Sequence, residues 1–161
     1  MCLIWLVTSF GYNLLLTLTN TFSEVYFSSL ISSLADIAGY IVTGLFTEKI
    51  GVEVSLKASF ISSTVGGLII LLWGLQHQES NWFFICFLFT KFGISCAFNI
   101  IYMANSYFFP VLFAASAIGF CNFLARIFSS ISFIISRMDE PLPMILFTTL
   151  CLMATIAAFF L

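Results

Sequence analysis

The length of the uninterrupted apolar runs constrains this chain more than any other feature of its sequence. Hydrophobic residues make up 61% of the 161 residues, whereas Asp, Glu, Lys and Arg together make up only 7%. Runs of about 20 apolar residues follow one another, and a helix of that length spans the hydrocarbon core of a bilayer. Because unpaired backbone groups are very costly in hydrocarbon, each run must be helical. The sequence therefore predicts an all-α membrane protein.

Short polar breaks divide the chain into six predicted transmembrane helices. They span residues 2–19, 25–47, 54–76, 81–105, 109–136 and 142–161. No break is long enough to hold a further domain, so residues 1–161 are predicted to form a single six-helix bundle. An even number of short-linked helices puts both termini on one side of the membrane. Lys49 and Lys57 flank a loop on the same side as the termini, whereas Arg137 lies on the opposite side. The positive-inside rule therefore favours termini in the cytoplasm.

Charge and cysteine content exclude several classes of function. The net charge is −2 and there is no basic tract, so we expect no nucleic-acid partner. The five cysteines lie singly in apolar stretches without a CxxC pair, and we interpret them as small buried hydrophobic side chains rather than metal ligands. The single histidine, His77, lies in a predicted polar loop, and no Ser, Cys or carboxylate has a base at workable spacing. We therefore predict neither an enzyme nor a cofactor or metal site.

Three charged residues lie inside the predicted helices: Asp36, Lys91 and Arg126. An ionisable group in hydrocarbon costs at least ~2.5–3.5 kcal/mol on insertion scales, so it usually faces protein or water. Each is a candidate for lining a substrate cavity. The alternative for each is a structural role. In that case Asp36 would pair with Lys91 or Arg126. Lys91 would pair with Asp36 or a carbonyl, or would reach toward a membrane surface.

Three segments, at residues 36–56, 91–110 and 119–127, resemble the major facilitator superfamily, and in particular its organic cation and anion transporters. Residues 36–56 are similar to the family's loop signature, in which a Gly-Tyr helix ends in an acidic, a basic and an apolar residue and a glycine; Glu48, Lys49 and Gly51 occupy those places. Residues 91–110 resemble the family's tenth helix and its exit, and residues 119–127 resemble its eleventh helix. The resemblance covers about residues 34–130 in the family's order.

The resemblance implies the C-terminal half of a major facilitator fold. In that fold each six-helix half is a three-plus-three inverted repeat, and the substrate binds between the two halves. It further implies a transporter, or the C-terminal half of one, that moves small organic ions by alternating access. The expected partners are the lipid bilayer, in the plasma membrane or an intracellular vesicle membrane, and a second half from the same chain upstream or from another chain. In such proteins the first helix of each repeat commonly lines the cavity, so Tyr12 and Asn13 are further candidates. Helix packing is the alternative role of their polar stripe.

The loop between the second and third predicted helices has two open interpretations. In the first, Gly51 permits a tight turn, and Glu48 and Lys49 bridge to neighbouring helix ends and act as a gate. In the second, the segment is an ordinary solvated turn. The chain also departs from the family in the next cytoplasmic loop, where Tyr107 and Ala114 stand in place of a glutamate and an arginine. The alternative prediction is therefore a degenerate, non-transporting membrane subunit that packs with other membrane proteins.

Overall fold

The computed structural model of the chain consists of helices joined by short connections, and it describes residues 1–19, 25–73, 81–138 and 141–160. The helices are α1 (Cys2–Thr19), α2 (Val25–Ile50), α3 (Val52–Leu72), α4 (Asn81–Phe108), α5 (Val111–Ile135) and α6 (Leu142–Phe159). All six are long and apolar enough to cross a membrane, and the described ranges contain no strand. The prediction of an all-α fold with six membrane-length helices is confirmed, and the chain is an integral, multi-pass membrane protein.

Three helices extend further into the predicted loops than the apolar runs do. α2 continues through Glu48 and Lys49 to Ile50, α3 begins at Val52, and α4 continues to Phe108. Polar residues at a membrane surface stay helical because the helix keeps their backbone groups paired. The break between α2 and α3 is thereby reduced to Gly51, whose φ of 94° is a conformation that glycine adopts without strain. The predicted helix ends at 76 and 161 and the loop with His77 lie outside the described residues.

The two three-helix repeats pack in equivalent ways. α2 lies against α4 as α5 lies against α1, and α3 lies against α4 as α6 lies against α1. α1 also contacts α4, and α3 contacts α6. Exchanging the first three helices with the last three maps each of these contacts onto another of them or onto itself, as an inverted three-plus-three repeat requires. Among the described residues, the contact between α2 and α3 has no equally extensive counterpart between α5 and α6.

Small residues allow a close helix crossing between α3 and α4. A Cβ atom added at Gly93 would lie 2.9 Å from the backbone nitrogen of Ser63, and one added at Gly66 would overlap Thr90. Backbones that approach this closely are typical of transmembrane helix interfaces, where packing rather than the hydrophobic effect drives association.

Burial differs sharply among the helices. In their most apolar stretches, 61% of the residues of α1 and 56% of those of α4 are buried, against 28% in α2 and 22% in α5. The exposed side chains of α2 and α5 include large apolar ones such as Leu34, Ile41, Phe120 and Phe123. α1 and α4 therefore form the centre of the bundle, whereas α2 and α5 present apolar faces to lipid or to another protein.

Candidate ion-binding site between α1, α2 and α4

A buried ion pair joins α2 to α4. The Lys91 Nζ lies 3.4 Å from the Asp36 Oδ2, and the two residues are only 1% and 8% exposed. The sequence left open whether Asp36 pairs with Lys91 or with Arg126, and the structure pairs it with Lys91. Each charge offsets the desolvation of the other, so neither is left alone in the interior of the bundle.

Three hydroxyl groups complete the surroundings of the pair. Lys91 donates a hydrogen bond to the Ser32 Oγ, and Ser95 donates one to the Asp36 Oδ1. Tyr12 of α1 donates to the other carboxylate oxygen, Oδ2, at 3.1 Å. Hydrogen bonds to ionised groups are about twice as strong as neutral ones, so these contacts further reduce the cost of burying the charges.

Sequence reasoning did not select Ser32, Ser95 or Tyr40 for this site. Both serines stand one helical turn from a charge on their own helix, since Ser32 precedes Asp36 by four residues and Ser95 follows Lys91 by four. Each serine bonds to the charge on the other helix, which identifies α2 and α4 as parallel neighbours. Tyr40 stands one turn after Asp36, so it lies on the same side of α2 as the carboxylate. The repeated serine–charge spacing was the available signal.

An aromatic row between α1 and α4 borders the ion pair. The Lys91 Nζ lies 5.8 Å from the centroid of the Tyr12 ring, and that ring stacks on Phe98 at 5.3 Å. Phe98 meets Tyr102 edge-on at 5.5 Å, and Tyr102 meets Trp5 at 4.8 Å. Aromatic faces attract cations, so the site offers a carboxylate, an ammonium group and a cation-attracting ring within one small volume.

The other predicted cavity residues lie apart from this cluster. Asn13 donates to the Ser9 carbonyl at 2.8 Å and to the Ser129 Oγ at 3.4 Å, so it links α1 to α5. Arg126 is exposed on α5, and no acidic group in the described part of the chain lies within ion-pair distance of it. The structure thus brings together Asp36, Lys91 and Tyr12, but not Asn13 or Arg126.

The predicted loop residues Glu48, Lys49 and Gly51 are all exposed at the junction of α2 and α3. Within the described residues neither Glu48 nor Lys49 forms an ion pair, whereas Glu53 and Lys57 of α3 pair at 4.0 Å.

The cysteines differ from their predicted uniform burial. Cys2 is exposed, because it stands at the first turn of α1, and its Sγ lies 3.0 Å from the Sγ of the buried Cys121 on α5. Among the described residues no group of three or more His, Cys, Asp or Glu side chains is arranged to hold a metal ion.

Several curated proteins resemble this chain along most of its length. A Caenorhabditis elegans protein described by its name as a candidate transporter is 34% identical over 127 residues, which are 78% of this chain and 25% of that protein. Solute carrier family 22 member 4 of Mus musculus is 27% identical over 135 residues, which are 81% of this chain and 23% of that protein. Organic cation/carnitine transporter 2 of Homo sapiens is 22% identical over 164 residues, which are 99% of this chain and 29% of that protein.

No protein-family model matches the chain. The chain spans only 23% to 29% of the length of these relatives, although the matches cover most of its own length. Six membrane-length helices, an inverted-repeat pattern of contacts and similarity to solute carriers converge on one assignment. The chain is related to the solute carriers of the major facilitator superfamily, and it has the all-α architecture of one six-helix half of that fold.

Proposed function

We propose that the chain is one half of a transporter that moves small organic ions by alternating access, with Asp36, Lys91 and Tyr12 in its substrate cavity. The buried Asp36–Lys91 pair carries this proposal, because charges in a membrane bundle are costly and usually serve a substrate or ion pathway. The name of a relative, organic cation/carnitine transporter 2, supports small organic ions as the substrate class.

The ion pair provides a contact for either sign of charge. A cationic group of the substrate competes with Lys91 for Asp36 and rests against the Tyr12 ring, while an anionic group competes with Asp36 for Lys91. When the substrate leaves, the two side chains pair again. Loaded and empty states thus differ in their contacts across α2 and α4, which is the differential interaction that a ligand needs to shift a conformational equilibrium.

A second six-helix half, from the same chain or another, is the proposed partner. The apolar faces of α2 and α5 are the most exposed of the bundle, and Arg126 lies on α5 among such residues. Covering these faces would place Arg126 in a shared cavity between the halves, as in transporters built from two repeats. We expect Asn13 to link α1 to α5 beside that cavity, and we expect Glu48 and Lys49, which are exposed, to pair with the second half.

Uptake measurements test the proposal. The chain is expressed with a second half, taken from the in-frame upstream sequence where the transcript contains one, and uptake of labelled quaternary ammonium, carboxylate and zwitterionic compounds is measured. Removing a charge-assisted contact costs about 1.5–3 kcal/mol, so Asp36→Asn and Lys91→Met are expected to lower kcat/KM by ~10- to 100-fold. Lys57→Met is the matched control, because this half-buried lysine pairs with Glu53 on α3, away from the site.

Protein levels separate a transport defect from a folding defect. The double variant Asp36→Asn/Lys91→Met leaves no buried charge unpaired and is expected to reach the membrane at near-normal amounts without transport. Full uptake by the double variant would contradict the proposed role of the pair. A stable complex of both halves that takes up none of the three compound classes would instead identify a non-transporting subunit.

A further inference from the structure

Two thiols meet across the interface of α1 and α5. The Sγ atoms of Cys2 and Cys121 lie 3.0 Å apart, although the two residues are 119 positions apart in the chain. The S–S bond of a disulfide is about 2.05 Å long, so the two sulfurs need to approach by only about 1 Å to form one. Both cysteines are free, and their helices pack directly against each other. The fold thus places two thiols in position for a covalent cross-link.

The other cysteines have no such arrangement. The Cys96 Sγ donates to the Gly39 carbonyl at 3.6 Å, and the Cys151 Sγ lies 4.0 Å from the Ser63 Oγ. Cys86 is half-buried on α4. Among the described residues, no other two thiols lie within hydrogen-bond distance of each other. A disulfide that forms without rearrangement of the helices therefore has one possible location.

Exposure differs between the two partners. Cys2 is exposed at the first turn of α1, whereas Cys121 is buried and only 3% exposed. Oxidation of cysteines follows their accessibility, so an oxidant meets Cys2 first. Hydrogen peroxide is small and uncharged, and it therefore reaches thiols at a membrane protein. The buried thiol is shielded from the oxidant but not from Cys2, as is typical of a resolving cysteine next to an attacked one.

We propose that Cys2 and Cys121 form a redox-modification site, at which peroxide converts the two thiols into a disulfide. The Cys2 sulfur attacks one oxygen of hydrogen peroxide, which breaks the O–O bond, releases water and leaves a sulfenic acid. The Cys121 sulfur then attacks the Cys2 sulfur, forms the S–S bond and displaces the sulfenic oxygen as a second water. The thiols lose two electrons and two protons, and the peroxide takes up both. A thiol reductant such as glutathione reverses the bond by exchange.

The disulfide adds a covalent link to the α1–α5 interface. Asn13 of α1 donates a long hydrogen bond, at 3.4 Å, to the Ser129 Oγ of α5, about three helical turns along α1 from Cys2. A cross-link at Cys2 holds the first turn of α1 against α5 and restricts the unfolded chain. The oxidised chain is therefore expected to unfold at a temperature higher by roughly 5 °C or more than the reduced chain.

Thiol counting on the full chain in lipid nanodiscs tests the proposal, with hydrogen peroxide as the probe. The chain is first reduced with dithiothreitol, then treated with peroxide, denatured and alkylated with a maleimide, and mass spectrometry counts the adducts. We expect the count to fall from five to three and to return to five after a second reduction. Peptide mapping is expected to recover a peptide containing Cys2 linked to one containing Cys121.

Single variants separate the roles of the two thiols. Cys121→Ala leaves Cys2 without a resolving partner, so peroxide is expected to leave a sulfenic acid on Cys2 that dimedone labels. Cys2→Ser removes the exposed thiol and is expected to keep all four remaining thiols reduced. Cys86→Ser is the matched control, because this cysteine lies apart from the pair, and it is expected to lose two thiols as the parent chain does.

Each step of the proposal can fail separately. Five remaining thiols in the parent chain, at a peroxide dose that oxidises free glutathione, would overturn the site. Linked peptides from other cysteines, or an undiminished loss of thiols in Cys2→Ser, would overturn the assignment to this pair. Absence of dimedone label on Cys2 in Cys121→Ala would overturn the order of attack. An unchanged unfolding temperature after complete cross-linking, followed by circular dichroism, would overturn the restraint of α1 against α5.

Discussion

The α2–α4 and α1–α5 interfaces hold equivalent places in the inverted repeat, yet they differ in chemistry. The α2–α4 interface contains the Asp36–Lys91 pair with its serine partners. In the described residues, the polar contacts of the α1–α5 interface are the Asn13–Ser129 hydrogen bond at 3.4 Å and the neighbouring thiols of Cys2 and Cys121. The repeat thus reproduces the packing of helices without reproducing the charges. Charge is confined to one interface, which we infer to be the one specialised for substrate.

The strongest test of this asymmetry removes one charge from the α2–α4 interface. Lys91→Met leaves the Asp36 carboxylate buried without its partner, and we expect a loss of about 3–5 kcal/mol of stability. Thermal unfolding of the detergent-solubilised chain, followed by circular dichroism, measures the effect. Adding Asp36→Asn is expected to restore most of the stability, since no uncompensated charge remains. A double variant as unstable as the single one would mean that Lys91 acts mainly by packing.

A smaller effect is expected from two glycines at equivalent crossings. Gly93 on α4 faces α3, where an added Cβ would meet the Ser63 backbone nitrogen at 2.9 Å. Gly11 on α1 faces α6, where an added Cβ would meet the edge of the Phe147 ring at 3.0 Å, and it would lie 3.5 Å from the Cδ1 of Ile94 on α4. A side chain yields more readily than a backbone, so Gly93→Ala is expected to cost about 1–3 kcal/mol and Gly11→Ala less. Equal losses in the same unfolding assay would show that the two crossings are equally rigid.

The sequence predicted the features that depend on hydrophobicity along the chain. Six apolar runs were sufficient to predict six helices, because in hydrocarbon a helix pairs the backbone groups within a single segment. Asp36 and Lys91 were each recognisable as candidate site residues, since a charged side chain inside a membrane helix is costly and usually serves a function. The helix ends were less predictable: Glu48 and Lys49 lie in α2 rather than in the loop, because polarity alone does not end a helix at the membrane surface.

Relations between helices were not readable from one sequence. The serine–charge spacing is visible in the sequence, but the charge that each serine contacts depends on the parallel packing of α2 and α4, which places Ser32 beside Lys91 and Ser95 beside Asp36. The direction in which Arg126 points was also undetermined, because the sequence alone does not show which side of α5 faces the other helices. Three-dimensional packing decides both points, and it separates the clustered candidates from Asn13 and Arg126.

The smallest expected effect comes from the polar contact on the uncharged interface. Asn13→Leu removes a neutral hydrogen bond to Ser129 that is already long at 3.4 Å, and interhelical bonds of this kind average about 0.6 kcal/mol in membranes. A double-mutant cycle with Ser129→Ala in the unfolding assay isolates the coupling energy of the two side chains, and a cycle of Asp36→Asn with Lys91→Met supplies the value for the charged interface. We expect the second coupling to be several times larger, because only there does a single substitution leave a buried charge. Equal coupling energies would show that the two polar contacts contribute alike to stability. The inference that the α2–α4 interface is specialised for substrate would then rest on substrate contacts alone.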